Sequence, residues 1–342
     1  MLMGLCVLHI TNLCNLKCKH CYASAGEKFP NEMTYEEIIN VVDQLDELGI
    51  NYITLSGGEP FERKDIFDII KYIRQKDIHV MITSNGTLLN QEIMDKLKKL
   101  DIDSIQISID SYDPEIHDNF RGIKGSFNKA IEGIKLCKAN GIKVSIMSTL
   151  SAINRKNMDK LIELALNLEV DGFAMERFVP EGRGNNEREI AIDSYDLKRC
   201  LETLYKYQKN TKNCFFTTND PLFSFVNGSY ELAYELSKDN KKLCGGCSLG
   251  KMAFVITPDG EVGLCTRLYE RIGSIREKSI AQILNENELL NKICVRDNLK
   301  GKCGRCKYKY ICGGCRGWAL QTTGDYLGED NLCWLTEEEI SE

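Results

Sequence analysis

Over its first two thirds, the chain alternates short runs of β-branched and apolar residues with longer amphipathic stretches. The runs are typical of buried β-strands, and the stretches place apolar residues three or four positions apart, as on one face of a helix. The pattern therefore predicts a strand followed by a helix, repeated along the chain. The six predicted strands lie at 6–10, 51–56, 78–84, 104–109, 142–149 and 172–178.

The helix after the first strand is the most clearly marked. Thr34 and Glu37 form a capping box, an apolar stripe runs from Ile38 to Leu48, and Gly49 ends the helix. Because strands and helices alternate, the strands must be parallel and joined by right-handed crossovers. This α/β pattern fits an open doubly wound sheet and a partial (β/α) barrel equally well.

Polar residues follow the predicted strands at their carboxyl ends. In either architecture these ends meet at one edge, where chemistry is placed. A solvated turn would explain any one of these groups, so the prediction of a site depends on their common edge. The groups are the cysteines after strand one, residues 56–59, residues 84–86, Ser108 with Asp110, Ser148 with Thr149, and Glu176 with Arg177.

Composition narrows the class of protein. The 342 residues are 43% hydrophobic and 27% charged, as in an ordered globular protein. The 44 basic and 50 acidic residues give a net charge of −6, which disfavours general nucleic-acid binding. No apolar run approaches the roughly 20 residues of a membrane span, and the first residues do not resemble a signal peptide. We therefore expect a cytoplasmic protein with neither nucleic acid nor membrane as a partner.

Sixteen cysteines are unusual for a chain expected in a reducing compartment, where metal binding is favoured over disulfides. Three lie between positions 14 and 21, and eight, without counting Cys294, are clustered between 244 and 333. The composition becomes rich in cysteine and glycine from about residue 240, with a hairpin turn at Asp259-Gly260 and a short helix at 279–287. We therefore predict two domains, residues 1–238 and 239–342. Scattered Cys6, Cys137 and Cys200 are interpreted as small core residues, and Cys214 and Cys294 are left unassigned.

Cys14, Cys18 and Cys21 are spaced CxxxCxxC in the loop after the first strand. Three thiolates can hold three irons of a cubane cluster and leave the fourth iron open to an outside ligand. Zinc is the alternative, but it needs a fourth ligand, for which His20 is the neighbouring candidate, and structural zinc sites more often use paired CxxC units.

The triplet, the aromatic Tyr22 after it and the SGGEP run at 56–60 resemble the radical S-adenosylmethionine (radical SAM) superfamily. The resemblance implies a partial (β/α)6 barrel and a 4Fe-4S cluster whose open iron is chelated by SAM. Reduction then cleaves SAM to methionine and a 5′-deoxyadenosyl radical, which abstracts hydrogen from a substrate. It also implies loss of iron and activity in air.

The same resemblance assigns contacts with SAM. Glu59 and the Gly57-Gly58 turn would meet the amino group, and Arg121 with Ser108 the carboxylate, although Arg121 also fits a solvated arginine in a polar loop. The Ser84-Asn85 turn would meet the ribose and backbone beside Tyr22 the adenine.

The C-terminal cysteines resemble the SPASM extension of this superfamily. Cys247, Gly260 and Cys265 read C-x12-G-x4-C, and residues 303–315 read C-x2-C-x5-C-x2-C. The resemblance implies two auxiliary 4Fe-4S clusters, three clusters in all. The implied inner set is Cys244, Cys247, Cys265 and Cys315, and the implied outer set is Cys303, Cys306, Cys312 and Cys333.

The charge of the C-terminal segment is a separate argument for iron-sulfur clusters. Between Arg296 and Arg316 there are seven basic residues and one acidic residue, Asp297, which suits buried anionic clusters. A zinc ribbon is the alternative, but its paired CxxC units usually lie about 15 to 20 residues apart, and here five residues separate them.

The resemblance favours oxidative maturation of a ribosomally made peptide, through a thioether or carbon-carbon crosslink. Modification of a tetrapyrrole side chain is the alternative, and a non-enzymatic iron-sulfur electron carrier is an alternative of another class. Thr266 occupies the position where sulfatase-maturing relatives carry an aspartate base, which disfavours that branch. The residues that could hold peptide termini or propionates, or form a solvated loop, are Glu176, Arg177, Glu181, Arg183 and Arg188.

The implied electron donor is reduced flavodoxin or ferredoxin. Only nine residues precede Ile10, so we expect no N-terminal leader-binding domain. A peptide substrate would then require a separate leader-recognition protein or direct docking.

Overall fold

The protein is described from a computed structural model that covers residues 4–238, 245–247, 249 and 253–341. Within these residues ten strands form one sheet. The strands are β1 (Leu5–Thr11), β2 (Tyr52–Gly57), β3 (His79–Ser84), β4 (Ser104–Ser108), β5 (Val144–Leu150), β6 (Gly172–Arg177), β7 (Phe215–Thr217), β8 (Ala253–Ile256), β9 (Glu261–Cys265) and β10 (Leu268–Ser274).

Helices follow the strands as the sequence predicts, with shorter ones near the C-terminus. Short 3-10 helices lie at Pro60–Glu62, Gly182–Ile190, Pro221–Phe223 and Arg296–Asn298. The α-helices are α1 (Tyr35–Glu47), α2 (Ile66–Gln75), α3 (Gln91–Leu100), α4 (Pro114–Arg121), α5 (Ser126–Ala139), α6 (Met158–Asn167), α7 (Ser194–Asn210), α8 (Ser224–Asn227), α9 (Ser229–Lys238), α10 (Ile280–Glu286), α11 (Glu288–Cys294), α12 (Gly301–Arg305), α13 (Arg316–Thr323) and α14 (Glu337–Ile340).

The sheet order is β10-β9-β8-β1-β2-β3-β4-β5-β6-β7. From β1 to β7 the strands are parallel and follow one another in chain order. A doubly wound sheet reverses its order partway, whereas a barrel keeps it. The architecture is therefore the partial (β/α) barrel, which confirms the predicted fold class, and all six predicted strands are present.

The two faces of this sheet differ in polarity. One face is apolar and buried beneath the helices, with Ile53, Ile82, Ile105, Ile146 and Phe173 among its residues. The strand register places the alternate residues together on the opposite face, which is polar and largely half-buried. We call it the inner face; it includes His9, Ser56, Thr83, Gln106, Ser108, Met147, Thr149 and Glu176.

Three local predictions differ in outcome. The capping box of Thr34 and Glu37 is present at the start of α1, and the predicted stripe is buried at Ile38 through Leu45. The segment that contains Arg121, predicted as a loop, is instead helix α4: Asp113 caps it, Pro114 begins it and Gly122 ends it in the left-handed region. The polar loop predicted after strand six contains a 3-10 helix at Gly182–Ile190.

The C-terminal region continues the same sheet. Strand β8 pairs in parallel with β1, and β9 and β10 extend the sheet antiparallel. The predicted turn at Asp259-Gly260 joins β8 to β9, and the predicted short helix is α10, with Ser279 and Gln282 as its capping box. The division into residues 1–238 and 239–342 stays a prediction. Among the described helices, none has both the length and the hydrophobicity needed to cross a bilayer.

Candidate functional site

The three N-terminal cysteines lie in the loop after β1, which is held by its neighbours. The loop closes on itself through Cys14 N and Gly26 O, 3.0 Å apart. It is tied to the end of α4, where Lys17 N donates to Arg121 O at 3.2 Å and Lys19 N to Phe120 O at 2.9 Å. The cysteine loop and α4 therefore form one structural unit.

All three thiols are free and accept weak hydrogen bonds. Leu16 N lies 3.4 Å from the sulfur of Cys14, and Ala25 N lies 3.4 Å from that of Cys21. Burial raises the pKa of Cys14 to about 12 and also raises that of Cys18. Thiols in such positions need a bound cation to become thiolates at neutral pH, so this donor set suits an iron cluster.

Gly57 and Gly58 bring the end of β2 against the cysteine loop. A Cβ atom on Gly57 would lie 2.2 Å from Thr11 O, and one on Gly58 would lie 2.1 Å from Leu13 O. Gly58 N donates to Thr11 O at 2.7 Å, and Glu59 N donates to Leu13 O at 2.8 Å. Only glycine permits this approach, so the pair fixes the position of the cysteine loop.

The carboxylate of Glu59 is fully buried and connects two strand ends. Its oxygens accept from Ser84 Oγ and Asn85 N, each at 2.8 Å, and from Phe61 N at 3.3 Å. Burial raises the pKa of Glu59 to about 7. Asn85 Nδ2 also donates to Asn15 Oδ1 at 2.8 Å, so the turn at residues 84–86 contacts the cysteine loop.

Arg121 points at the cysteine loop. Its guanidinium lies 2.6 Å from Asp110 Oδ2, its Nη1 lies 3.7 Å from the sulfur of Cys18, and its buried Nε has no hydrogen-bond partner. The side chain is 9% exposed, so the interpretation as a solvated arginine is wrong. The free Nε–H is a donor that suits an anion such as a carboxylate.

His20, considered from the sequence only as a fourth ligand for zinc, packs in the structure beside Phe120 and Asp110. Its ring stacks on Phe120 with centroids 4.1 Å apart, and its Nε2 lies 3.7 Å from Asp110 Oδ2. Burial lowers the pKa of His20 to about 3, so the ring is neutral. Its place in the CxxxCxxC loop, beside a polar strand end, was the available signal.

Tyr22 and Ser108 lie on either side of this group. The hydroxyl of Tyr22 is 3.1 Å from His9 Nε2 of the inner face, and Gly182 packs against Tyr22 O. Ser108 ends β4 on the inner face, half-buried. The elements after β1, β2, β3 and β4 therefore gather all of the proposed SAM contacts at one edge.

The polar residues after β6 do not form one group. Glu181 accepts from Gln321 Nε2 at 2.6 Å, and Arg188 Nη2 donates to Gln321 Oε1 at 2.7 Å, so both contact α13. Arg183 Nε donates to Cys18 O at 2.9 Å and supports the cysteine loop. The prediction that these residues share one role in anion binding finds no support in this arrangement.

Arg177 is buried on the apolar face, opposite its neighbour Glu176. It pairs with Asp220, whose Oδ1 lies 2.6 Å from Nη2, and with Asp330, whose oxygens lie 2.9 and 3.0 Å from Nη1. Asp330 Oδ2 accepts from Cys315 N at 2.9 Å, and Asp330 N lies 3.4 Å from the sulfur of Cys303. Arg177 therefore joins the barrel to the C-terminal cysteines.

Four C-terminal cysteines line one cavity. Lys302 and Lys309 also line it, and buried Arg316 places Nη2 at 3.6 Å from the sulfur of Cys303. Basic groups therefore lie where an anionic cluster would need them. The four cysteines are Cys303, Cys306, Cys312 and Cys333.

Cys247 lies near both Cys265 and Cys315. Burial, with a contribution from neighbouring Cys247, raises the pKa of Cys265 and raises that of Cys315 to about 11. Cys244, predicted as the fourth ligand of this set, lies outside the described residues. Within the described part of the chain, no group of three or more His, Cys, Asp or Glu side chains is placed to hold a single metal ion.

Two family models match the regions that contain the N-terminal cysteines and most of the C-terminal ones. Residues 8–166 match the radical SAM superfamily, and residues 244–315 match SPASM, an iron-sulfur cluster-binding domain. The chain is 33% identical to the AdoMet-dependent heme synthase of Methanosarcina barkeri over 330 residues, covering 95% of this chain and 94% of that protein.

Two further proteins resemble the chain along most of its length. The mycofactocin maturase of Mycolicibacterium smegmatis is 27% identical over 330 residues, which cover 95% of this chain and 81% of the maturase. The crystal structure of Streptococcus suis SuiB bound to S-adenosylmethionine superposes with a TM-score of 0.78 at 19% identity, covering 98% of this chain and 78% of that one. This last likeness concerns the fold alone.

Proposed function

Because the chain belongs to the radical SAM superfamily and carries a C-terminal SPASM domain, we propose that it modifies a side chain of a tetrapyrrole by radical chemistry. The general class, a radical SAM enzyme, follows from the family. The tetrapyrrole substrate is the proposal, and we prefer it to the peptide substrate that the sequence resemblance favours.

Cys14, Cys18 and Cys21 would hold the 4Fe-4S cluster to which SAM binds. When bound and reduced, the cluster would supply the electron for cleavage of SAM to methionine and a 5′-deoxyadenosyl radical, which would abstract hydrogen from the substrate. The protein's part is to hold the loop rigidly. It does so through Gly57 and Gly58, which press β2 on the loop, and through α4.

Four strand ends would bind SAM itself. Arg121 offers its free Nε–H to the carboxylate, near Ser108, while its pairing with Asp110 fixes the guanidinium. The Gly57-Gly58 backbone and Glu59 would receive the amino group, whose positive charge would favour ionisation of the buried carboxylate. The Ser84-Asn85 turn would meet the ribose, and backbone beside Tyr22 the adenine.

The C-terminal cysteines would hold two auxiliary 4Fe-4S clusters, three in all. The outer set is Cys303, Cys306, Cys312 and Cys333; the inner set is Cys247, Cys265 and Cys315, with Cys244 as its fourth ligand. With four thiolate ligands each, these clusters would supply electron transfer. Reduced flavodoxin or ferredoxin is the proposed electron donor, and the proposed location is the cytoplasm.

One observation supports the choice of a tetrapyrrole as the substrate. The match to the heme synthase extends over 95% of this chain and 94% of that protein, at 33% identity. The maturase is less similar, at 27% identity and 81% of its length. A separate leader-recognition protein is a partner only for a peptide substrate.

The test uses anoxically reconstituted protein with SAM, dithionite and iron coproporphyrin III, a tetrapyrrole with propionate side chains. We expect a tetrapyrrole of changed mass, with 5′-deoxyadenosine formed alongside it. Unchanged tetrapyrrole, in a preparation that does cleave SAM, would contradict the proposal.

Peptide maturation is the second candidate, favoured by the likeness to the mycofactocin maturase. The same preparation, offered a precursor peptide encoded beside the gene, would then produce a peptide of lower mass. Clusters without any cleavage of SAM would instead indicate an electron carrier.

A further inference from the structure

An ion pair joins the barrel to the C-terminal region at the edge of the inner face. Glu176, the penultimate residue of β6, lies on the inner face beside Thr149 of β5. Arg267 lies in the turn between β9 and β10, and its Nη1 is 2.9 Å from Glu176 Oε2. The side chains of Glu176 and Arg267 are 15% and 20% exposed, and Glu176 lies on the inner face.

The pair is a charge contact without a well-directed hydrogen bond. Neither Glu176 Oε2 nor Arg267 Nη1 has a hydrogen-bond partner, although both atoms are buried. The other oxygen of Glu176 accepts from Asn219 N at 2.8 Å. A guanidinium has five donors in a planar fork that matches a carboxylate, so Arg267 can bind a second anion.

The location matters for the reaction. Arg267 is two residues beyond Cys265, and its backbone N lies 3.4 Å from the sulfur of Cys265. It therefore lies between the inner face and the inner cysteine set. A substrate carboxylate held here would lie beside both the inner face and Cys265.

The neighbouring arginine provides a contrast. Arg177 is on the opposite face of β6, 2% exposed, with both Asp220 and Asp330 paired to it. Its donors are used within the protein. Among the described residues, Arg267 makes an ion pair with Glu176, and that contact is poorly directed.

We propose that Arg267 binds a carboxylate of the substrate, and that Glu176 holds the guanidinium in place while competing with that carboxylate. This inference rests on the proposed tetrapyrrole substrate, whose propionates supply the carboxylate. Arg267 is then a residue that determines specificity, and Glu176 a positioning residue.

The test measures binding of metal-free coproporphyrin III by its fluorescence, using anoxically reconstituted protein. Arg267→Gln removes a charge-assisted contact, so we expect the Kd to rise about tenfold or more. Glu176→Gln removes the competing carboxylate, so we expect the Kd to fall about threefold. Arg271→Gln, at a 48% exposed arginine paired with Asp259, is the matched control and should leave the Kd unchanged.

The opposite signs separate this role from a structural one. If both variants weaken binding equally, the pair merely holds the fold and the inference is wrong. An unchanged Kd in Arg267→Gln also overturns it, while leaving the proposed function intact. Wild-type protein that does not bind coproporphyrin contradicts the proposed function and the inference together.

Two further measurements keep the test decisive. Iron content and circular dichroism verify that each variant is folded; if Arg267→Gln is not, Arg267→Lys retains the charge without the fork and should raise the Kd about threefold. The amide derivative of coproporphyrin should bind wild type and Arg267→Gln equally, because its carboxylates are neutralised. Discrimination between the two proteins by the amide would contradict carboxylate recognition.

Discussion

The N-terminal cysteines and the outer C-terminal set are built in different ways. Cys14, Cys18 and Cys21 come from one loop, and their positions depend on the strand ends and helix that press on it. The outer four come from three separate segments and surround a cavity with lysines at its wall. The first arrangement suits a cluster with one iron left for an outside ligand, and the second suits a cluster enclosed by protein.

The largest expected effect comes from breaking the N-terminal set. Cys18→Ala removes one of three thiolates, so reductive cleavage of SAM should be lost, while the iron held by the C-terminal cysteines remains. The measurements are 5′-deoxyadenosine by chromatography and iron per protein. Cys137→Ala, at a buried cysteine of α5, is the control and should retain both. Cleavage of SAM by Cys18→Ala would contradict the assignment.

The next effect separates the two sets. Cys312→Ala should lose iron from the outer cavity and lose substrate turnover, yet still form 5′-deoxyadenosine, because the N-terminal set is untouched. Cys294→Ala lies in the same region outside both sets and should behave as wild type. Loss of SAM cleavage in Cys312→Ala together with retained N-terminal iron would show that the sets are not independent.

Asp330→Asn tests the link between the barrel and the C-terminal cysteines. It leaves Arg177 with one carboxylate in a fully buried site, so the free energy of unfolding should fall by about 3 kcal/mol. Chemical denaturation of the anoxic protein measures this. Glu337→Gln, which breaks the exposed pair with Arg305, should leave stability unchanged. Equal effects of the two variants would argue against a structural link at Asp330.

Gly58→Ala has the smallest expected effect and acts on the N-terminal set alone. Its Cβ would collide with Leu13 O at 2.1 Å, so stability should fall by about 2 kcal/mol and the N-terminal iron should be held less firmly. Gly26→Ala, in the cysteine loop that Gly58 contacts, is the control, since its Cβ would meet nothing within 4 Å. If both alanines are tolerated alike, the close contact between the two loops is not required.

Local signals predicted much of the fold. The capping box of α1 and the β-branched strands needed no tertiary information. The signals for α4 were also present, since Asp113, Pro114 and Gly122 are a cap, a first-turn proline and a terminating glycine. The short strand β7 has three residues and depends on pairing with β6, so periodicity could not reveal it.

The sequence predicted some features of the candidate site and not others. The cysteines and the SGGEP run stand out by spacing, but the partners of a side chain depend on register. Adjacent residues of a strand point to opposite faces, so Glu176 and Arg177 could not share a role. The pairing of Arg177 with Asp330, 153 positions away, could not be predicted, because no local sequence pattern connects residues so far apart in the chain.

The most direct test is the electron paramagnetic resonance spectrum of anoxic, dithionite-reduced protein, recorded with and without SAM. A cluster with an open iron at Cys14, Cys18 and Cys21 should give a signal that changes when SAM is added, and Cys18→Ala should not show that change. A spectrum that SAM leaves unaltered in protein with its full iron content would contradict the account, as would zinc bound at these three cysteines.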